Sequence, residues 1–353
     1  MKHDKKLVGF IIDTPPLGKA RHQTLGRLLA GCKKWKSYFH YNYFPNQEKM
    51  MASTQLRVYD VIKNFRDDHF QLEIYKPSRK YDIVIFQKNF GTGARQLAMA
   101  LKKRGTLIIL DINVNYYDIA ATTEQQYDEV MKFTIIVDCV ICPNQYMRNF
   151  IKNLFPQKNV FCIEEHLPAS LFGIAKKYSS IDTKKIRLLY SGYAVKAKEI
   201  LLIEEQIKKL AQEYLVEYII IADQDPKLQI DGVKTRFIKY KRCEVHNNLL
   251  KGDIFLAPRD LKNNYNLGHS FSKIGQPMAV GVPVLASPIP SYAGSPAILI
   301  NGFGEEWHTE IKKIVNDKKY YQELSEKGIT YCQSNFSTNI IMSKYQKLFN
   351  DLI

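Results

Sequence analysis

The run NLGHSFSKIGQPMAVGVPVLA, residues 266–286, decides how the rest of the chain is read. A polar loop passes into a short helix, the helix is stopped by Gly281, and a strand follows over 282–286. Glycine at the end of a helix and proline just beyond it are both stop signals, because one accepts a left-handed backbone and the other cannot extend the helical ladder. Gly268, His269, Ser270, Phe271 and Ser272 form the approach to the helix, and Lys273 brings a full charge to the same place. Amides at a helix start, the positive end of the helix dipole and two hydroxyls together make a ready anion site. A phosphate or diphosphate is the natural ligand for it. The same pattern also fits an ordinary helix–strand connection with an exposed lysine.

Outward from this run, strands and helices alternate. In the first half, strands are expected at 7–14 (LVGFIIDT), 70–75 (FQLEIY), 81–87 (YDIVIFQ), 106–112 (TLIILDI), within 135–143 (IIVDCVICP) and at 160–168. Helices are expected at 53–65 (STQLRVYDVIKNF), 95–103 (RQLAMALKK) and 144–155 (NQYMRNFIKNLF), where apolar residues recur at helical spacing. SYFHYNYF (37–44) alternates like a strand, although its aromatics also suit a surface. The second half repeats the pattern: strands in IRLLYSGY, VEYIIIADQ, TRFIKY, DIFLAP, VPVLAS and AILI, and a helix at 198–214. This is a doubly wound α/β plan used twice. The expected division is residues 1–165, 166–335 and a closing helix at 336–353, with polar and small residues interrupting the alternation over 168–182.

From Lys273 to Val284 the chain resembles the nucleotide-sugar loop of retaining glycosyltransferases of the GT-B fold, specifically glycosyltransferase family 4. Ala279, Gly281, Pro283 and Val284 keep the A-x-G-x-P-V ending of that segment. Lys273 stands where some branches carry a lysine ahead of the helix. The family's two glutamates fall on Gly268 and Gln276, and neither is Glu here. After the first strand of the second half the family has Gly-Arg and then a lysine, both against the donor diphosphate. Gly192 matches, Tyr193 replaces the arginine, and Lys196 or Lys198 can supply the lysine. A lysine is a point charge and cannot make an arginine's two-pronged contact. Exposed lysines at a helix start are the alternative reading of this segment.

The resemblance implies an α/β GT-B protein: two Rossmann-like domains with a cleft between them and a C-terminal helix crossing back. It implies transfer, with retention, from a nucleotide-diphosphate sugar to an acceptor such as a lipid-linked glycan, in bacterial cell-surface glycan synthesis. Gly192, Gly268, His269, Ser270, Phe271, Ser272 and Gln276 would bind the donor. Lys196 and Lys273 would stabilise the departing diphosphate, with no metal and no further cofactor. In the first domain, Gly18 falls in the family's glycine-containing loop, and Lys19, Arg21 and His22 beside it suit an acceptor phosphate. Arg57 heads a helix and can bind an anion or be solvated. Asp111, ending a strand, can orient a sugar hydroxyl in catalysis or cap a loop. The missing glutamates and arginine also suit a non-catalytic partner or scaffold with an altered donor site.

Composition bounds these readings. The 353 residues are ample for two cores, and a hydrophobic share of 45% with 24% charged residues is that of a globular protein. No apolar run reaches the roughly 20 residues that span a bilayer. Six cysteines lie scattered without a disulfide framework, which suits a reducing cytoplasm. The C-x-x-C of Cys139 and Cys142 lies in an apolar strand and reads as structural rather than as half a zinc site. Asp223-Gln224-Asp225 has the spacing of a metal-binding pair, but it follows a strand where a turn is expected. The formal net charge of +16 calls for anionic partners. It is spread along the chain, without an arginine-rich tail or finger spacing, so phosphate ligands and membranes rank above nucleic acid. Among the first fifty residues, ten Lys and Arg stand against three acids, interleaved with the aromatics of KKWKSYFHYNYF. That segment suits an anionic membrane surface at the cytoplasmic face, or else a buried strand.

Overall fold

The computed structural model describes residues 5–12, 52–180, 182 and 184–353. The chain divides into two compact units, Met1–Ile163 with Met342–Ile353, and Glu164–Ile341.

In the first unit, β1 (Lys6–Ile12), β2 (Phe70–Ile74), β3 (Ile83–Gln87), β4 (Leu107–Asp111), β5 (Cys139–Cys142) and β6 (Asn159–Cys162) form one sheet. Their order is β2-β1-β3-β4-β5-β6, and every pairing is parallel. Inner parallel strands are covered on both faces, which is why β1, β3 and β4 read as continuous apolar runs rather than alternating ones. Gly9 in β1 is required by packing: a Cβ there would sit 2.8 Å from the Tyr81 ring. The helices Thr92–Lys102, Glu124–Ile136 and Gln145–Leu154 connect the strands. Thr123 and Asn144 cap the last two, accepting from the amides of Gln126 and Met147.

The stretch expected as one helix over 53–65 carries a wider turn. A π turn at Gln55–Tyr59 separates Ala52–Thr54 from Asp60–Asn64. Its effect is to bury four successive residues, Gln55, Leu56, Arg57 and Val58, which an α-helix of period 3.6 cannot do on one face. The closing helix Thr338–Leu352 brings Phe349 against Phe65 and Phe70, with ring centres 5.7 and 5.5 Å apart. Its last turns thereby belong to the first unit.

In the second unit, β7 (Lys185–Gly192), β8 (Leu215–Ala222), β9 (Val233–Lys239), β10 (Ile254–Ala257), β11 (Val284–Ala286) and β12 (Ile298–Leu299) form a second parallel sheet. The order β12-β11-β10-β7-β8-β9 reverses direction between β7 and β10. Such a reversal point leaves the carboxyl ends of two neighbouring strands open to a ligand. The helix expected at 198–214 begins with a tighter 3₁₀ stretch, Lys198–Ile203, and becomes α-helical only at Glu204–Glu213. Two further helices, Glu306–Asn316 and Lys318–Phe336, follow β12 and lead to the closing helix. The stretch 168–182 lies within the second unit: Leu167 donates its amide to the Phe336 carbonyl at 2.7 Å, and Lys176 pairs with buried Asp253 at 3.1 Å.

Candidate functional site

The decisive stretch folds as its spacing predicts. The helix Ser272–Ala279 is followed by Gly281 at φ 74, and the amides of Gly281 and Val282 close back on the carbonyls of Met278 and Pro277. At the other end no side chain caps the helix, so its first turn keeps the donor character that attracts anions. The hydroxyls of Ser270 and Ser272 lie 3.0 Å apart beside it. Phe271 serves packing: it is buried and stacks on Phe336 at 4.1 Å. Gly275 must lack a side chain, since a Cβ would come within 2.7 Å of the Phe271 ring. Gln276 is half-buried one turn into the helix, and Gly268 lies buried at the end of a short turn.

Lys273 points back to the end of β7. Its ammonium donates to the Ser191 carbonyl and lies over the Tyr190 ring, 3.7 Å from the centre. It occupies the space above Gly192 where a side chain would stand, and Gly192 adopts φ 152, a backbone that L residues rarely take. Lys196, in the turn after β7, lies 3.3 Å from Glu199 and 3.1 Å from the Asn266 Oδ1, with Tyr265 beneath it. Lys198, the other candidate, is exposed.

Two residues that sequence reading did not single out complete the cluster. Arg259 follows β10, is 2% exposed, and pairs through Nη1 with Glu199. Lys196 and Arg259 therefore share one carboxylate at the carboxyl ends of β7 and β10, with the Lys273 amine within range of its charge. Burial and then the Arg259 charge push the Lys273 ammonium well below the ordinary lysine range, with Glu199 opposing. The same burial, with Arg259, Lys273 and Lys196, holds His269 well below the usual imidazole value, so its ring is neutral at pH 7. The clue to Arg259 was an arginine right after a strand in APRD, the position that strand ends give to ligands.

Asp223 reaches across to the segment after β7, and Asp225 bonds locally within its own loop. Asp223 accepts from the Ala194 amide at 2.8 Å and Asp225 from the Lys227 amide at 2.9 Å.

The first-unit residues fare differently. Gly18, Lys19 and His22 lie outside the described residues, as does the basic and aromatic segment of the first fifty. Arg57 and Asp111, expected as an anion-binding and a sugar-orienting group, are turned toward each other. Arg57 Nε reaches both carboxylate oxygens at 2.9 and 3.0 Å, Nη2 adds a third contact at 2.5 Å, and Nη1 donates to the Ile163 carbonyl at 2.9 Å. Both side chains are 1% exposed, and their charges are spent on each other. The π turn is what brings Arg57 inward. Cys139 and Cys142 are buried in β5, and no metal-sized cluster of ligands occurs among the described residues.

At the sequence level, no protein-family model and no curated protein matches this chain. Solved structures do. Sucrose-phosphate synthase from Thermosynechococcus elongatus superposes with a TM-score of 0.60 at 13% identity, over 81% of this chain and 84% of that one. HepE from Anabaena, in complex with UDP and glucose, gives 0.58 at 12% identity over 99% of both chains. An alpha-glucosyltransferase in complex with UDP-glucose and DNA gives 0.57 at 10% identity, over 98% and 99%. The fold is thereby that of the GT-B glycosyltransferases, α/β with two Rossmann-like units. Among the described residues, no helix is long and apolar enough to cross a membrane.

Proposed function

We propose that this chain is a retaining glycosyltransferase resembling family 4, with the second unit holding a nucleoside-diphosphate sugar. The observation that carries this is the charge surplus at the ends of β7 and β10. Lys196 and Arg259 share one carboxylate, Glu199, and the Lys273 amine stands beside them, so basic groups outnumber the acid three to one. A half-buried surplus is costly until an anion arrives, and a nucleoside diphosphate brings the matching charge. The uncapped helix Ser272–Ala279 adds its dipole at the same place. Negative charge grows on the diphosphate as the sugar leaves, so fixed positive groups in a water-poor site act most strongly in the transition state. Asp223 is engaged by the Ala194 amide and Asp225 by the Lys227 amide, and the lysines and amides are assigned the charge-neutralising work that a metal ion performs in other transferases. The UDP and UDP-glucose complexes of the structural neighbours support a uridine nucleotide as the first donor to try.

A thermal-shift screen of nucleotide sugars, followed by UDP calorimetry, tests the reading, since a ligand that binds only the fold raises its stability. Lys273→Ala should fold and lose about a hundredfold or more in kcat/KM. A folded variant with wild-type turnover would sink the assignment. The replaced glutamates at Gly268 and Gln276 favour one second reading, a GT-B partner that binds without transferring; UDP binding with no turnover on any acceptor would select it.

The acceptor we assign to this reading is a glycan on a lipid carrier, because of the +16 charge and the basic, aromatic first fifty residues. Co-sedimentation with liposomes should rise with the fraction of anionic lipid and fall with salt. Equal and negligible binding to neutral and anionic liposomes at low salt would point to an acceptor free in solution.

A further inference from the structure

The sequence shows Tyr193 where the resemblance implies an arginine, and the structure shows an arginine close by on another element. Arg259 stands just beyond β10, across the reversal point from β7, and its pair Glu199 follows β7 in the 3₁₀ stretch. We infer that Arg259 supplies, from the neighbouring strand, the guanidinium charge for the diphosphate that Tyr193 does not supply, and that Glu199 is the carboxylate that positions it. This rests on the nucleoside-diphosphate reading of the same site.

Four observations carry it. Arg259 is nearly fully buried, yet its Nε has no hydrogen-bond partner, so Glu199 does not exhaust it. A buried arginine held for structure alone is normally satisfied at every nitrogen it can be. Glu199 grips two cations at once, Arg259 through one oxygen and Lys196 through the other at 3.3 Å, so the guanidinium and the ammonium are fixed relative to each other. The backbone of Arg259 is itself pinned, its amide donating to the Ser287 hydroxyl at 2.8 Å. Finally, Tyr193 is 55% exposed and lies near Asp223 and Tyr265, the ring beneath Lys196, so a charged side chain placed there would meet the same site from the solvent side.

Arg259 is the charge-supplying residue of this pair, and Glu199 is the positioning residue that holds it beside Lys196. At about 8 Å and an effective dielectric constant of about 20, one such charge is worth about thirtyfold in affinity for each negative charge it faces. Moving the charge should then matter less than losing it, which is an outcome a purely structural arginine does not give.

The test is UDP calorimetry on the full chain, with inorganic pyrophosphate as the base-free control. Arg259→Ser should weaken UDP binding by about thirtyfold or more, and Tyr193→Arg in that background should recover about tenfold or more, with a steeper salt dependence than Arg259→Ser alone. Where Arg259→Ser leaves Glu199 too exposed to fold around, the pair Arg259→Gln with Glu199→Gln keeps the shape without a lone buried charge, and Tyr193→Arg is added to it. Wild-type affinity in folded Arg259→Ser, or no recovery in a folded double or triple variant, overturns the inference. If Lys273→Ala still loses UDP in that case, the nucleoside-diphosphate reading stands without Arg259. A wild-type chain that binds neither UDP nor pyrophosphate overturns both.

Discussion

Arg57 of the first unit and Arg259 of the second unit share several properties. Each is almost wholly buried, each comes to the carboxyl ends of a parallel sheet, and each is paired with a carboxylate. Their surroundings differ. Arg57 meets Asp111 with three hydrogen bonds and spends its remaining nitrogen on the Ile163 carbonyl; within that pair the charge is balanced. Arg259 shares its carboxylate with Lys196, keeps a nitrogen unpartnered, and has the Lys273 ammonium nearby. Burial and pairing therefore do not distinguish a structural ion pair from a binding site. The charge balance does, because a surplus of one sign in a low-dielectric place is tolerated only where a ligand of the other sign repays it.

The largest effect that can break this contrast is on stability in the first unit. Arg57→Met leaves Asp111 charged and buried among apolar strands, and removing one partner of such a pair costs about 3–5 kcal/mol. Thermal or urea unfolding should show that loss, with UDP affinity of the folded fraction unchanged. Arg57→Met combined with Asp111→Leu should regain most of the stability, since an apolar pair of similar size needs no counter-charge. If Arg57→Met instead unfolds like the wild type and loses transfer activity, the first-unit pair is functional and the contrast between the two arginines collapses.

Much of this contrast was out of reach of the sequence, for identifiable reasons. The alternation of apolar strands and amphipathic helices carries the α/β plan, and the Gly281 stop with Pro283 behind it marks the anion-site helix. Lys273, Lys196 and Gly192 come together in space because they sit at the ends of neighbouring elements of that plan. Asp111 and Arg57 were legible only as a strand end and a helix head. Their mutual pairing needs the π turn Gln55–Tyr59, which apolar spacing does not signal because one inserted residue leaves the pattern helical on either side. Arg259 was hidden differently. The position that the resemblance implies for an arginine is Tyr193, and only the adjacency of β7 and β10 in the sheet brings a residue 66 positions later to the same place. Residues 301–336 carry two helices whose apolar residues are diluted by lysine and glutamate, so they do not stand out in the sequence.

The smaller effect, and the one that sharpens the contrast, is the pH response of Lys273. Its ammonium is depressed below the ordinary lysine value of 10.5, first by burial and then by Arg259. The sign follows from which state holds the proton more tightly. The unfolded chain keeps the ordinary value, so holding Lys273 charged costs the ligand-free fold below its depressed pKa, and that cost disappears as pH rises toward 10.5. Bound UDP does the opposite: its diphosphate favours the ammonium and raises the lysine's pKa. UDP affinity should therefore be flat at low pH and fall as pH climbs through the depressed value, by up to about tenfold for each unit that UDP raises it. Binding in that window should take up protons, which calorimetry in buffers of different ionisation heat measures. Lys196, Glu199 and His269 also face this cluster, so the diagnostic is the difference between the wild type and Lys273→Arg. A guanidinium stays charged throughout, so that variant should lose both the ligand-free gain in stability and the fall in affinity. If Lys273→Arg keeps the wild-type pH profile, the proton belongs to another group and Lys273 is an ordinary lysine. If the profile flattens as expected, the surplus charge at β7 and β10 is held by a group that the ligand itself recharges, which the balanced Arg57–Asp111 pair has no means of doing.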